Sequence, residues 1–288
     1  MRHAGRSWLF VPGHDEAKVH KASTRGADVL IFDLEDGVAD GAKPRAREVL
    51  ARALADPSST PRYVRVNHPA AGWLREDIEA TLTPHLTGYI LPKAEFAEDI
   101  RTFLECVRDA AQERGVDAAA IAVVPLIETA AGVESACAIA AASPHIRRLA
   151  FGAVDLALDL RVEALDPAVV QYVRSRLVIA ARAAGLEAPI DTVEPDYRDL
   201  AAFRDAAMAA RRMGFGGKLV IHPNQVAVAN EVFAPTARER AEAERIVQAY
   251  ERAAAEGVGA VGLDGRMVDR PMYEWALRVL ADAGLQPN

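Results

Sequence analysis

Two carboxylates stand where this chain is best equipped to do chemistry. Glu128 closes the apolar run IAVVPLIE, and Asp155 closes a second, RLAFGAVD, with an alanine-rich stretch of helical character between them. The pattern reads as strand–helix–strand with an acid at the exit of each strand. Where two such strands are parallel neighbours, both exits fall on one face of the sheet. Two isolated carboxylates with no nearby His or Cys favour a hard cation, and magnesium takes one or two protein carboxylates while keeping several waters. Glu128 and Asp155 are therefore the candidate ligands for Mg2+. Acids also favour helix N-termini, so either could instead simply cap the helix that follows it.

Other polar groups recur at the ends of apolar runs. DVLIF leads into Asp33-Leu34-Glu35-Asp36-Gly37, RYVRV into Arg65 and Asn67, GYIL into Lys93, and KLVI into His222 and Asn224. Arg65 offers a planar fork suited to a substrate carboxylate. A salt bridge to Glu35 or Asp36 is an equally compatible reading, and the two can coexist because a paired arginine still presents an edge. Asp33 and Asp36 could accept hydrogen bonds that fix Arg65 or metal-bound waters. Like charges crowded together raise a carboxyl pKa unless a cation neutralises them, and Lys93 is expected to pair with these acids. His222, followed by Pro223, reads as a structural loop histidine, and Asp191 as a helix cap. Gly152, with Ala153 beside it, and Gly132 would let backbone approach a ligand carboxylate, although ordinary turns explain glycine there as well.

The elements that must position these groups follow in regular order. Strands are expected at Ser7–Pro12, Asp28–Phe32, Arg62–Val66, Gly88–Leu91, the two runs that lead to Glu128 and Asp155, Ala188–Asp191 and Lys218–Ile221. They alternate with helices at Asp15–Arg25, Lys43–Leu54, Arg75–Leu82, Glu95–Glu113, Pro167–Ala184 and Pro195–Arg212, with a short one ending near Phe233. The strands are apolar throughout, as strands buried on both faces are. Eight of them alternating with helices predict a (β/α)8 TIM barrel over residues 1–234. The alternative, an open doubly wound sheet, lacks its glycine-rich phosphate turn, since SWLFVPGHDE holds a single glycine. In a barrel the functional groups lie at the carboxyl ends of the strands. All the candidates above then share one rim, acidic overall but carrying Arg65 and Lys93, which suits a metal together with an anionic ligand. Residues 235–288 do not fit the barrel. A charged helix from Thr236 to Ala255, the glycine-rich GVGAVGLDGRMVDRP and a final helix from Met272 to Leu280 predict a C-terminal helical extension that caps the barrel or joins subunits.

Composition narrows the classes further. The chain has 288 residues, 51% of them hydrophobic, and 34 Lys and Arg against 41 Asp and Glu give a net charge of -7. No basic stripe marks a nucleic-acid partner; Arg147–Arg148 and Arg211–Arg212 read as solvated helix ends. The two cysteines, Cys106 and Cys137, form neither a zinc pattern nor a disulfide framework, which fits a reduced compartment. No run approaches the ~20 apolar residues that span a bilayer, and MRHAGRSWLFVPGHDE shows no apolar segment followed by a cleavage site. The expectation is a cytoplasmic protein with no membrane partner.

Seven segments taken together, RSWLFVPG, DVLIFDLEDGV, VRVN, LPKAE, PLIETAAGV, FGAVDLALDL and KLVIHPNQV, resemble the citrate lyase beta-subunit-like branch of the HpcH/HpaI aldolase superfamily. The resemblance runs from Arg6 to Val226 and continues more weakly through DGRMVDRP. It implies a barrel that binds Mg2+ through Glu128 and Asp155, with Arg65 gripping an oxo-acid carboxylate and Glu35 and Asp36 lining the same pocket. It implies substrate contacts at Gly152 and Ala153, and catalytic roles for Arg65, Asp36 and Asp269. Asp269 would act in the site of an adjacent subunit, which requires a homo-oligomer, a trimer or a multiple of one. Its plain alternative is a helix cap, since Pro271 and a helix follow. The implied reaction is reversible C–C cleavage of a 3-hydroxyacyl thioester such as malyl-, citramalyl- or citryl-CoA, giving acetyl-CoA or a related acyl-CoA and a 2-oxo acid. Alternatives are a citrate lyase beta subunit acting on an acyl-carrier-protein thioester, a class II pyruvate aldolase, and a non-catalytic oxo-acid-binding protein.

Overall fold

The computed structural model describes residues 5–285. Residues 1–4, part of the stretch read above for a targeting signal, and the last three residues lie outside the described residues. The chain divides into two compact units, Gly5–Glu231 and a C-terminal unit that begins at Val232.

The first unit is a closed barrel of eight parallel strands in sequence order. Its elements are β1 (Ser7–Pro12), α1 (Glu16–Lys21), β2 (Val29–Asp33), α2 (Lys43–Ala53), β3 (Arg62–Arg65), α3 (Leu74–Thr81), β4 (Gly88–Leu91), α4 (Ala97–Arg114), β5 (Ala122–Ile127), α5 (Ala130–Ala140), β6 (Ala150–Phe151), α6 (Ala153–Asp159), α7 (Pro167–Ala183), β7 (Ile190–Asp191), α8 (Leu200–Met213), β8 (Gly217–Val220) and α9 (Pro223–Val232). The ring closes through β8 on β1, with Trp8 in register with Leu219. Local signals explain many of the boundaries. Asp15, Thr129, Asp166 and Asp199 cap α1, α5, α7 and α8 by accepting from backbone N–H groups. Pro44 and Pro167 lie in the first turns of α2 and α7, where a missing N–H costs nothing.

Side chains alternate between the two faces of a strand, and the barrel interior takes one parity. Trp8, Val29, Ile31, Tyr63, Ile90, Val124, Leu126, Ala150, Ile190 and Leu219 form the buried cluster that fills it. Continuing the same parity past these residues gives Asp33 on β2, Arg65 on β3, and Glu128 and Gly152 just beyond β5 and β6. The inward face of the barrel therefore changes from apolar to charged at its carboxyl end.

The opposite parity packs under the helices. Asp191 and Lys218 belong to it and are fully buried. Asp191 pairs with Arg174 of α7 (2.9 Å) and with the Lys218 ammonium (2.7 Å), and that ammonium lies 5.5 Å from the Phe203 ring centre on α8. Asp191 is thus an ion-pair partner beneath the helical layer, and not the expected helix cap. Arg148 is likewise no solvated helix end: it is buried, pairing with Glu187 and donating to the Gly5 carbonyl.

The C-terminal unit holds α10 (Ala237–Ala255), β9 (Val261–Leu263), β10 (Arg266–Val268) and α11 (Arg270–Asp282). Its two helices pack through a cluster that includes Ala243, Ile246, Val247, Val268, Ala276 and Leu280. The glycine-rich stretch, for which the sequence reading named no element, holds an antiparallel hairpin, with Arg266 in register with Leu263. Asp264 and Gly265 both have positive φ (51° and 75°), the conformation an Asp-Gly hairpin turn requires.

Candidate active site

Asp33 and Arg65 are register partners at the last positions of β2 and β3. The guanidinium grips the carboxylate in two parallel hydrogen bonds, Nε to Oδ1 and Nη2 to Oδ2, both 2.7 Å. The same carboxylate also accepts the Glu35 and Gly37 N–H groups, at 3.0 and 2.9 Å. One side chain therefore shapes the DLED turn and aims the arginine. Burial works against charge on Asp33, but Arg65 and the two N–H donors more than offset it, and the carboxyl sits below its ordinary value. Arg65 is itself buried, which disfavours its charge, yet Asp33 and Glu35 together raise its pKa. Its remaining terminal nitrogen, Nη1, lies 2.8 Å from Glu35 Oε2, and its face covers Phe10 at 4.9 Å. Of the acids expected to pair with or fix Arg65, Asp33 and Glu35 do so, while Asp36 lies against Lys93 instead. A guanidinium has five N–H donors; two are spent on Asp33, while the contact of Nη1 with Glu35 Oε2 is an ion pair and not a hydrogen bond.

Lys93 follows β4 and joins the acids, as its charge suggested. Its ammonium contacts Glu35 Oε1, lies 3.4 Å from Asp36 and reaches to 3.8 Å from Asp155. Its backbone is left-handed, with φ 49°, and its N–H donates to Glu128 Oε1 at 2.8 Å. Glu35, held between two cations, is nevertheless raised above the ordinary glutamate range, because burial outweighs Arg65 and Lys93.

Glu128 is 1% exposed. Thr129, and not Glu128, caps α5. A Cβ built on Gly152 would fall 2.3 Å from Glu128 Oε2, so only glycine leaves room for the carboxylate. Burial first, and then the negative charge of Asp155, push the Glu128 carboxyl up to about 8, against the pull of Arg65. Asp155 lies in the first turn of α6, a helix not anticipated at this point of the sequence, and its side chain is 27% exposed. It reaches the same mouth from a helix, and not from a strand end as expected.

A hard divalent cation suits this pair. Each carboxylate raises the cost of ionising the other, and a cation between them removes that cost. Among the described residues, no three His, Cys, Asp or Glu side chains form a metal-ligand group. The candidate donors here are two carboxylates, a number that Mg2+ accepts when water or substrate completes its shell.

The remaining candidates are placed as follows. Gly152 lies against Glu128, and the Ala153 N–H is already engaged by Thr192 Oγ1 at 2.9 Å. Asp36 is an exposed acid at the mouth, its side chain 60% exposed. His222 accepts from the Asn224 N–H and stacks on Tyr197, a loop role. Asp269 caps α11 in the C-terminal unit, one carboxylate oxygen accepting from the Met272 N–H. Lys43, which the sequence offered only as the start of a helix, is buried beneath the DLED turn and donates to its carbonyls. Its signal in the sequence was weak: a lysine beside Pro44 in an otherwise ordinary first turn.

A closed parallel barrel whose mouth joins two carboxylates to a clamped arginine is fitted to hold a divalent cation beside an anionic ligand. The chain belongs to the HpcH/HpaI aldolase/citrate lyase family, whose model matches residues 6–223. A second model, described as a C–C bond lyase of the TIM-barrel fold, matches residues 190–285. The chain is 36% identical over 283 residues to citrate lyase subunit beta of Escherichia coli strain K12, covering 97% of this chain and 93% of that one. It is 34% identical over 284 residues to (3S)-malyl-CoA thioesterase of Cereibacter sphaeroides, with 98% and 95% covered. Among solved structures it is similar to the protein CitE from Mycobacterium tuberculosis in complex with magnesium, acetoacetate and coenzyme A. The TM-score is 0.79 at 32% identity, covering 99% of this chain and all of that one.

Proposed function

We propose that this chain is a Mg2+-dependent carbon–carbon lyase for a 3-hydroxyacyl-CoA of the malyl-, citramalyl- or citryl-CoA type. Its products are acetyl-CoA, or a related acyl-CoA, and a 2-oxo acid. The observation that carries the reading is the pairing of buried Glu128 with Asp155 at the same mouth as a doubly clamped Arg65. The magnesium and coenzyme A named with the Mycobacterium tuberculosis structure support it.

Glu128 and Asp155 hold the cation, and Mg2+ bound there supplies Lewis-acid polarisation of the oxo group. Arg65 uses the N–H groups not given to Asp33 for the carboxylate of the oxo acid, a positioning role. Asp33 and Glu35 keep the guanidinium from turning away, and Gly152 keeps the wall beside Glu128 open. In the cleavage direction a carboxylate, for which Asp36 is the candidate at the mouth, takes the proton of the 3-hydroxyl. The C2–C3 bond breaks, its electron pair passes to the thioester as an enolate, and the oxo acid is released with a new carbonyl. Asp269 then gives a proton to the enolate carbon, and in the synthetic direction it removes one. We assign Asp269 to the site of an adjacent subunit, which makes the active form a homo-oligomer, a trimer or a multiple of one. On this reading residues 1–234 are the catalytic domain and 235–288 the capping or oligomerisation segment. No helix among the described residues is long and apolar enough to cross a membrane, and a cytoplasmic location is part of the same proposal.

The name of the Escherichia coli relative supports a second reading, a citrate lyase beta subunit that takes its thioester on an acyl-carrier protein. A coupled assay of malyl-, citramalyl- and citryl-CoA, with and without EDTA, separates the two. EDTA-sensitive turnover of a free CoA thioester by the purified chain supports the first reading. Turnover that appears only with carrier subunits supports the second. No cleavage of any thioester would defeat both.

A further inference from the structure

Beneath the DLED turn lies a buried polar cluster that meets the substrate pocket only through backbone, at the Glu35 carbonyl. Lys43, Arg47, Asn67 and Asp77 are each no more than 9% exposed. The Lys43 ammonium donates to the Leu34 carbonyl (2.8 Å), the Glu35 carbonyl (3.1 Å) and Asn67 Oδ1 (2.8 Å). The Asn67 side-chain amide donates to the same Leu34 carbonyl (2.9 Å) and to Asp77 Oδ2 (2.7 Å). Asp77 also accepts the Asn67 backbone N–H at 2.9 Å and Arg47 Nε at 2.8 Å, and Arg47 covers the Trp73 ring at 5.0 Å. A buried ammonium is costly unless all its protons are satisfied. Here three acceptors come from two different βα loops, while the lysine itself stands on α2.

From this geometry we infer that Lys43 is a positioning residue for substrate carboxylate binding, acting through Glu35 on Arg65. The inference rests on the reading of Arg65 as the carboxylate-binding group. The DLED turn is held from both sides: Asp33 takes the N–H groups of Glu35 and Gly37, and Lys43 takes the carbonyls of Leu34 and Glu35. With its backbone fixed in this way, the Glu35 carboxylate lies 2.8 Å from Arg65 Nη1 and also meets Lys93. Releasing the carbonyls frees Glu35 to follow Lys93 and lets the outer edge of the guanidinium rotate. The Glu128 and Asp155 ligands stand on other elements, just beyond β5 and on α6, and receive no hydrogen bond from Lys43, Arg47, Asn67 or Asp77; Lys93 holds Glu128 through its own backbone N–H. Removing the ammonium should therefore loosen the grip on the oxo acid without loosening the grip on the cation.

The test compares wild type with Lys43→Met, which keeps length and removes the donor, and with Asn67→Ser, which removes the bridge while leaving the lysine. Two quantities are measured: KM and kcat for the 2-oxo acid in the condensation direction, and Mg2+ affinity by direct titration. Lys43→Met is expected to raise KM for the oxo acid by at least about tenfold, the size that follows from losing hydrogen bonds of a charged donor. The kcat at saturation and the Mg2+ affinity should stay within about threefold, because transition-state and ligand contacts are unchanged. Asn67→Ser should move KM in the same direction and by less. Wild-type KM in Lys43→Met, an equal loss of Mg2+ affinity, or loss of the folded near-UV spectrum in both variants would each overturn the inference. Failure of the functional reading shows separately, as absence of turnover in the wild type; binding of pyruvate with Mg2+ to both proteins then still reports whether Lys43 sets the grip on a 2-oxo acid.

Discussion

Gly152 and Glu128 occupy each other's space: a Cβ at position 152 would meet Glu128 Oε2 at 2.3 Å and Cβ at 2.6 Å. The glutamate is buried, so it has little freedom to retreat. Gly152→Ala is therefore expected to push the carboxylate out of line and weaken Mg2+ binding by about tenfold or more, in keeping with the sensitivity of sites to displacements of about 1 Å. Isothermal titration with Mg2+ measures this. Unchanged affinity and activity in Gly152→Ala would show that the carboxylate is free to move and that the contact is unimportant.

Arg65 is already paired on one edge, so its value to the substrate is the edge left over. Arg65→Lys keeps the charge and loses the fork. The expected result is a rise in KM for the oxo acid of about tenfold or more, since a charge-assisted bidentate pair is lost. Arg65→Ala should do worse, because it also strands Asp33 and Glu35 without their partner. An unchanged KM in Arg65→Lys would mean that the arginine serves only the acids beside it.

The Asp33 carboxyl is held below its ordinary range, so the unfolded chain binds the proton more readily than the folded one. Stability from this pair is complete above the ordinary aspartate pKa and is lost as pH falls through the lowered folded value. Urea unfolding of wild type and Asp33→Asn between about pH 3 and pH 6 tests this. The wild-type advantage should shrink steadily with acidification; an advantage independent of pH would contradict it.

How much of this was legible in the sequence depends on whether a local rule or the barrel register decided the matter. The eight strands were visible because buried parallel strands are continuous apolar runs between turn signals. Register within such a run is not visible, because a shift of one residue exchanges the two faces. That is why Asp191 looked like a rim residue and is instead buried against Lys218 and Arg174. Asp155 was misplaced onto a strand because FGAVDLALDL stays apolar through the helix that follows. The hairpin at Val261–Val268 carried its own cue, the Asp264–Gly265 pair, inside a stretch read only as glycine-rich. Lys43 gave no usable cue. Its role depends on acceptors eight, nine and twenty-four residues away in sequence, which only the folded barrel brings together.

The ion triplet of Arg174, Asp191 and Lys218 makes a separate prediction about stability. Asp191→Asn leaves two buried cations without their shared partner. The cost should be about 3–5 kcal/mol, as when one member of a buried pair is removed. Denaturant unfolding measures it, and a loss smaller than about 1 kcal/mol, the range of an exposed ion pair, would contradict it.

The central claim is that Glu128 and Asp155 hold one Mg2+ on which turnover depends. Its most direct measurement is Mg2+ titration of metal-stripped wild type, Glu128→Gln and Asp155→Asn, followed by turnover of a 3-hydroxyacyl-CoA. The account predicts inactive stripped enzyme, recovery with saturating Mg2+ in the wild type, and folded variants in which neither binding nor turnover returns. Full activity in the stripped protein, or wild-type rates from either variant at limiting Mg2+, would contradict it.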